Sequence, residues 1–181
     1  MKDENIILAD KAFEPFISKS EIKEAIISLA RTINKDFEGR ELIIIGVLDG
    51  AFVFLAHLVK RLKLNVQIEL IKLKSYEGTR STGRIENIIG LTTPINGKEL
   101  LIIEDIIDTG QTLSHLLKML NQQQPKSVSI ATLLLKKDIF KDQFPIDYIG
   151  IDIPNKFVVG FGMDYLGEGR QLPQIYTAVE N

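Results

Sequence analysis

Cysteine is absent from this chain of 181 residues. That absence excludes disulfides, thiolate catalysis and cysteine-based zinc sites together, and it fits a reducing compartment such as the cytoplasm. Charge of one sign is not in excess either: 22 Lys and Arg stand against 24 Asp and Glu, a formal net charge of −2. A nearly neutral chain gives no sign of a broad basic face for nucleic acid, so small molecules are the expected partners. Two familiar phosphate loops are also missing, since no turn ends in Gly-Lys-Ser/Thr and no GxGxxG occurs. The histidines, His57 and His115, lie far apart in the sequence without clustered ligands. Any metal should therefore be held by oxygen.

Uninterrupted apolar runs of membrane length are missing too. The segment LIIIGVLDGAFVFLAHLV at 42–59 is about long enough to cross a bilayer. Asp49-Gly50 breaks it at the middle, where a charge is expensive, and a strand, a tight loop and a helix account for every residue. The opening MKDENIILAD is too acidic for a secretory signal. No membrane partner is expected.

The length suits one domain able to bury a full core. Ser20 followed by Ile22, Ala25, Ile26, Leu29, Ala30 and Ile33 has helical spacing behind a plausible cap. A strand begins at Leu42, and a second is read over Val66–Lys72, where Val66, Ile68 and Leu70 alternate with Gln67, Glu69 and Ile71. Leu100–Glu104 reads as a strand, Thr112–Leu120 as a helix, Val128–Leu135 as a strand after the Pro125 break, and Tyr148–Ile151 as one more. Strands alternating with helices in this way predict an α/β fold with a parallel sheet covered on both faces.

The most informative stretch is LLIIEDIIDTGQTL at 100–113. Its aliphatic run reads as a buried strand, and it places Glu104, Asp105 and Asp108 at the strand's carboxyl end, where ligands settle in parallel sheets. Thr109, Gly110, Gln111 and Thr112 follow. Their backbone N–H groups and two hydroxyls, at the positive end of a helix dipole, suit a phosphate. A carboxylate cluster repels bare phosphate, so the ligand should offer it hydroxyls or a divalent cation, as a sugar phosphate can. The competing reading makes Glu104 and Asp105 simple strand ends and Asp108 a helix cap.

This segment resembles the phosphoribosyl pyrophosphate signature of type I phosphoribosyltransferases, and EDIIDTG at 104–110 resembles their hypoxanthine-guanine members in particular. The resemblance extends through IGVLDGAFVF at 45–54, SYEGTRSTG at 75–83, TLLLKK at 132–137 and IPNKFVVGFGMDY at 153–165. It implies the type I phosphoribosyltransferase fold: a parallel β-sheet flanked by helices, with a small hood formed by the terminal segments. The whole of 1–181 would be a single domain, its core at about 20–150 and its hood at about 1–19 and 151–181. The implied reaction moves the 5-phosphoribosyl group from phosphoribosyl pyrophosphate to a 6-oxopurine base, hypoxanthine or guanine. It gives IMP or GMP and pyrophosphate with magnesium (Mg2+) as cofactor, and its implied setting is purine salvage in the cytoplasm by a homo-oligomer, a dimer or tetramer.

The resemblance also implies roles. Asp108 would be the general base at the purine N7, and Glu104, Asp105, Asp108, Thr109, Gly110, Gln111 and Thr112 would hold the phosphoribosyl group. Pyrophosphate would lie against Asp49, Gly50, Ser75, Tyr76 and Arg170, with the Leu48–Asp49 peptide bond cis and the 75–83 loop folding over the site. Ile106, Lys136, Phe157, Val158 and Asp164 would take the purine: Lys136 at the C6 oxygen, Phe157 stacked on the ring, Val158 at its edge. Glu104, Asp105 and Asp164 would bind magnesium. The chain departs from the pattern at Asp49 and Gln111, where many relatives carry a basic residue. Competing functions are a xanthine-preferring enzyme, a regulatory relative that senses phosphoribosyl pyrophosphate, and an unrelated flavodoxin-like domain.

Overall fold

A computed structural model describes residues 4–75, 85–140 and 144–179. Two strands, β1 (Ile6–Leu8) and β2 (Lys11–Ile17), precede helix α1 (Lys19–Asp36). Strand β3 (Leu42–Leu48), helix α2 (Phe52–Val59) and strand β4 (Val66–Ser75) follow. Next come β5 (Ile85–Ile89), β6 (Glu99–Ile107), α3 (Gln111–Asn121) and β7 (Ser127–Leu135). The chain closes with β8 (Tyr148–Asp152), β9 (Val158–Val159) and β10 (Ile175–Ala178).

The main sheet has the order β5-β4-β3-β6-β7-β8. Every neighbouring pair in it is parallel except β4 with β5. A second, four-stranded sheet, β1-β2-β10-β9, joins segments from both ends of the chain, and its pairings are antiparallel. Neither β5 nor these four strands was read from the sequence. Three are four residues or shorter, and β2 carries Pro15, so periodicity has little to act on.

Strand β6 is central because it is apolar on both faces. Leu101 and Ile103 join α1 and α2 in one core, while Leu100 and Ile102 join Leu113, Leu116 and Leu120 of α3 in another. Full burial of each such side chain stabilises the fold by about 1.5–3 kcal/mol. The strand runs to Ile107, three residues beyond the expected end, so Glu104 and Asp105 belong to the strand itself. Alternation breaks there: Ile106 packs against the core that holds Ile103, and Ile107 belongs to the one that holds Ile102. The strand pairing with β7 skips Asp105, going from Glu104↔Thr132 to Ile106↔Leu134.

Two local expectations need correction. Ser18, not Ser20, caps α1: Ser18 Oγ accepts from Glu21 N at 3.3 Å and Ser18 N donates to Glu21 Oε2 at 2.9 Å. Ser18 has the glutamate three residues on that a capping box requires, and Ser20 lacks it. On β4 the alternation is inverted, because Ile71 is fully buried while Ile68 and Leu70 are 47% and 40% exposed. Strand β4 lies one from the sheet edge, and the face carrying Ile68 and Leu70 is only partly covered.

Candidate active site

Strand β6 delivers its acids to the sheet's carboxyl edge at graded depth. Asp105 is buried, Glu104 is half-buried and Asp108 is exposed. Burial pushes the Glu104 carboxyl well above the carboxylate range, and the neighbouring Asp105 charge adds to that. Its Oε2 is buried with no hydrogen-bond partner among the described residues. Glu99 shares this last feature, yet its other oxygen pairs with Lys126 at 2.9 Å. Asp105 is pushed up to about 6 by burial, although the N–H groups of Ile106 and Asp105 itself pull it down. Each acid needs a positive partner to ionise comfortably.

Gly50 is what lets Asp105 sit where it does. A Cβ on Gly50 would stand 1.8 Å from Asp105 Oδ2, so the loop after β3 closes on the β6 carboxylate only because this residue has no side chain. The preceding Leu48–Asp49 peptide is cis. Asp49 Oδ2 accepts from Lys72 Nζ at 2.6 Å and lies 4.0 Å from Arg170 Nη2. Lys72 carried no signal in its own segment; its register opposite Leu48 in the parallel pairing of β3 with β4 brings it to the loop.

The turn from β6 into α3 pivots on Gly110, at φ +80°. Phe140 and Phe144 fill the space its Cβ would need, at 2.8 Å and 3.3 Å. The helix has no side-chain cap, which removes the reading of Asp108 as an N-cap. The first-turn N–H groups of Gln111, Thr112 and Leu113 have no helical carbonyl to bond. Thr109, Gln111 and Thr112 are exposed.

Asp108 pairs instead with Lys136, whose Nζ lies 3.0 Å from Asp108 Oδ2. Lys136 follows the end of β7, and its N–H donates to Ile107 O at 2.9 Å, so the pair straddles the junction of two neighbouring strands. Lys137 is exposed while Lys136 is buried, a distinction invisible in the sequence TLLLKK. Across the cleft Phe157 is 48% exposed and Val158 is buried in β9. Tyr165 meets the Phe157 ring edge-on with centroids 5.8 Å apart.

Asp164 and Arg170 are joined at 2.7 Å, and Arg170 Nη1 donates to Gly162 O at 2.7 Å. The glycine-rich segment between them is a tight reverse turn. Leu166 and Gly167 have φ of 52° and 87°, Tyr165 and Glu168 exchange backbone hydrogen bonds at 2.9 Å, and Asp164 Oδ2 accepts from Gly167 N at 2.8 Å. Both terminal nitrogens of the Arg170 guanidinium are thereby held.

One cleft of about 370 Å³ is lined by Gly50, Asp105, Ile106, Asp108, Lys136, Phe157, Val158, Met163, Asp164 and Arg170. Met163 was not singled out in the sequence, being an ordinary apolar residue there. Ser75 ends β4, and Tyr76 with most of the 75–83 loop lies outside the described residues. Among the described residues no three acidic or histidine side chains converge as a metal cluster. Asp164 does not join Glu104 and Asp105, being engaged by Arg170. Gly50, Asp105, Asp108 and Lys136 thus follow the carboxyl ends of neighbouring strands of the main sheet, with Val158 of β9 in the four-stranded sheet on the opposite wall.

Residues 18–166 match the model of the phosphoribosyl transferase domain family. The chain belongs to the phosphoribosyltransferase family. This phosphoribosyltransferase is 41% identical over 167 residues to a hypoxanthine-guanine phosphoribosyltransferase of Dictyostelium discoideum, covering 90% of this chain and 93% of that one. It is 38% identical over 165 residues to the hypoxanthine phosphoribosyltransferase of Escherichia coli, with 90% and 93% covered. Among solved structures, a hypoxanthine-guanine phosphoribosyltransferase of Bacillus anthracis with HEPES in its active site superposes at a TM-score of 0.86. It is 37% identical and covers 92% of this chain and 98% of that one. The fold expected from the sequence, a parallel sheet with flanking helices of the type I class, is the one observed.

Proposed function

We infer that this phosphoribosyltransferase joins phosphoribosyl pyrophosphate to hypoxanthine or guanine, yielding IMP or GMP and pyrophosphate, in purine salvage. The observation that carries the reading is the Asp108–Lys136 pair facing Phe157 and Val158 in the cleft that also holds Asp105 and Arg170. A half-exposed aromatic face, a buried ammonium and an exposed carboxylate together match a flat base with one oxygen and one acidic N–H.

In the proposed mechanism the base stacks on Phe157, with Ile106 against the ring and Val158 offering backbone groups to its edge. Lys136 donates to the C6 oxygen, and Asp164 flanks the far side of the ring. The C1–oxygen bond to pyrophosphate breaks as the C1–N9 bond forms, and the proton on N7 passes to Asp108. Charge that develops at C1 resembles that of glycoside cleavage, and the Glu104 and Asp105 carboxylates favour it while holding the ribose hydroxyls. The 5′-phosphate rests on the N–H groups and hydroxyls of 109–112, with Gln111 contributing hydrogen bonds without charge. Pyrophosphate leaves toward the Gly50 amide and Arg170, with Ser75 and Tyr76 assigned to it by resemblance alone.

The donor set suits magnesium, a hard cation that takes oxygen ligands: Glu104 Oε2 is a buried carboxylate oxygen with no partner among the described residues. Glu104 and Asp105 would hold it, directly or through water, with Asp164 nearby, and when bound it supplies positive charge to the pyrophosphate oxygens. The four-stranded sheet of terminal segments is proposed as the hood that closes the base side. Assembly into a homo-oligomer, a dimer or tetramer, is proposed from the family resemblance. No helix among the described residues is long and apolar enough to cross a membrane, and a cytoplasmic location accords with the lack of cysteine.

Initial-rate assays with hypoxanthine, guanine, xanthine and adenine, each with donor and magnesium, test the reading. Nucleotide should form from hypoxanthine or guanine. Preference for xanthine would move the assignment within the 6-oxopurines, and no product from any base would favour a sensor.

A further inference from the structure

Asp49 raises an electrostatic difficulty that the rest of the cleft does not solve. Its carboxylate is 44% exposed beside Gly50, on the loop assigned to a leaving group of high negative charge. The nearest guanidinium, Arg170, is already bound to Asp164 at 2.7 Å and to Gly162 O. Left alone, Asp49 would both repel the anion and compete for Arg170.

Lys72 removes the difficulty. Its Nζ sits 2.6 Å from Asp49 Oδ2, whereas Arg170 reaches the same oxygen only at 4.0 Å. The contact is built by the sheet, because Lys72 stands in register with Leu48 across the β3–β4 pairing. Lys72, Asp49, Arg170 and Asp164 form an alternating row of two cations and two anions.

We propose that Lys72 is a positioning residue for the pyrophosphate end of the donor: by engaging Asp49 it cancels the loop's charge and keeps that carboxylate from competing with the anion for Arg170. It acts through Asp49, and it has no part in binding the base. This inference rests on the proposed seat of pyrophosphate at the Asp49-Gly50 loop.

The test is a double-mutant cycle on the full chain. Equilibrium binding of phosphoribosyl pyrophosphate with magnesium, and of inorganic pyrophosphate with magnesium, is measured for wild type, Lys72→Ala, Lys72→Gln, Asp49→Asn, Asp49→Asn/Lys72→Ala and Arg170→Ala. Each Lys72 variant should weaken both ligands by about tenfold, with the KM for hypoxanthine nearly unmoved. Asp49→Asn should tighten both, and the double variant should return to within about threefold of wild type. Melting temperatures confirm that the variants are folded. Unchanged affinity in both Lys72 variants overturns the proposal, as does a double variant as weak as Lys72→Ala. If Arg170→Ala weakens pyrophosphate while the Lys72 variants do not, only the role of Lys72 falls. If none of these variants moves pyrophosphate, the seat at this loop falls and takes the proposal with it.

Discussion

Lys136 Nζ lies 3.0 Å from Asp108 Oδ2, and the two side chains differ in exposure, 9% against 49%. The ammonium is the buried member, so it depends on the carboxylate more than the carboxylate depends on it. Asp108→Asn removes both the proton acceptor and the counter-charge. The expected outcome is a kcat for hypoxanthine reduced by about 10²- to 10⁴-fold, with a much smaller change in donor affinity. Rapid-quench turnover and donor titration of the same variant check it, and wild-type turnover would remove Asp108 as the base.

Lys136→Met should separate binding from chemistry at the same pair. Loss of the donor to the C6 oxygen raises the KM for hypoxanthine by an expected factor of about 10 or more, on the order of one hydrogen bond to a charged group. Adenine, which has no C6 oxygen, should not suffer a comparable penalty in competition binding, and equal losses for the two bases would argue against this contact.

Gly50→Ala should be severe for its size. A methyl group 1.8 Å from Asp105 Oδ2 cannot be accommodated without moving either the loop or the acid. Donor binding should fall together with thermal stability, the latter by roughly 1–3 kcal/mol as for other overpacked sites. Calorimetric melting and donor titration on one preparation check both, and an Ala variant with native affinity would show that the loop yields freely.

Asp105 sets a pH dependence whose sign follows from its burial. Its carboxyl is raised from 3.8 to about 6, so between those values the folded chain keeps a proton that the unfolded chain has released. Stability from this group therefore falls as pH rises through that window, by about 1.4 kcal/mol per unit at most, and levels off above it. Glu104 is raised as well and acts in the same direction. Metal-free urea unfolding of wild type and Asp105→Asn at several pH values from about 4 to 7 should show the wild type losing ground to the variant as pH rises. A constant difference would show that Asp105 ionises normally in the fold.

Much of the candidate site is legible in the sequence. Strand β6 announces itself because a strand buried on both faces must be apolar throughout, and the three acids and the polar turn that follow it mark a ligand edge in a parallel sheet. Fold and reaction class were reached from those residues and their resemblance. The four-stranded sheet is not legible in residue patterns, since its strands are short and the pairing that joins its two halves links opposite ends of the chain: Ile175 pairs with Ile17.

What the sequence by itself determined is the candidate set: the order of acids, turn and helix along 100–121 in a chain without cysteine. What only the tertiary structure decided is which of them meet. Lys136 rather than Lys137 turns inward, Lys72 reaches Asp49, and Gly50 admits Asp105, because strand register and burial act between segments that the linear chain keeps apart. Pairing and desolvation are properties of neighbours in space, and sequence order carries them only where those neighbours are also close along the chain.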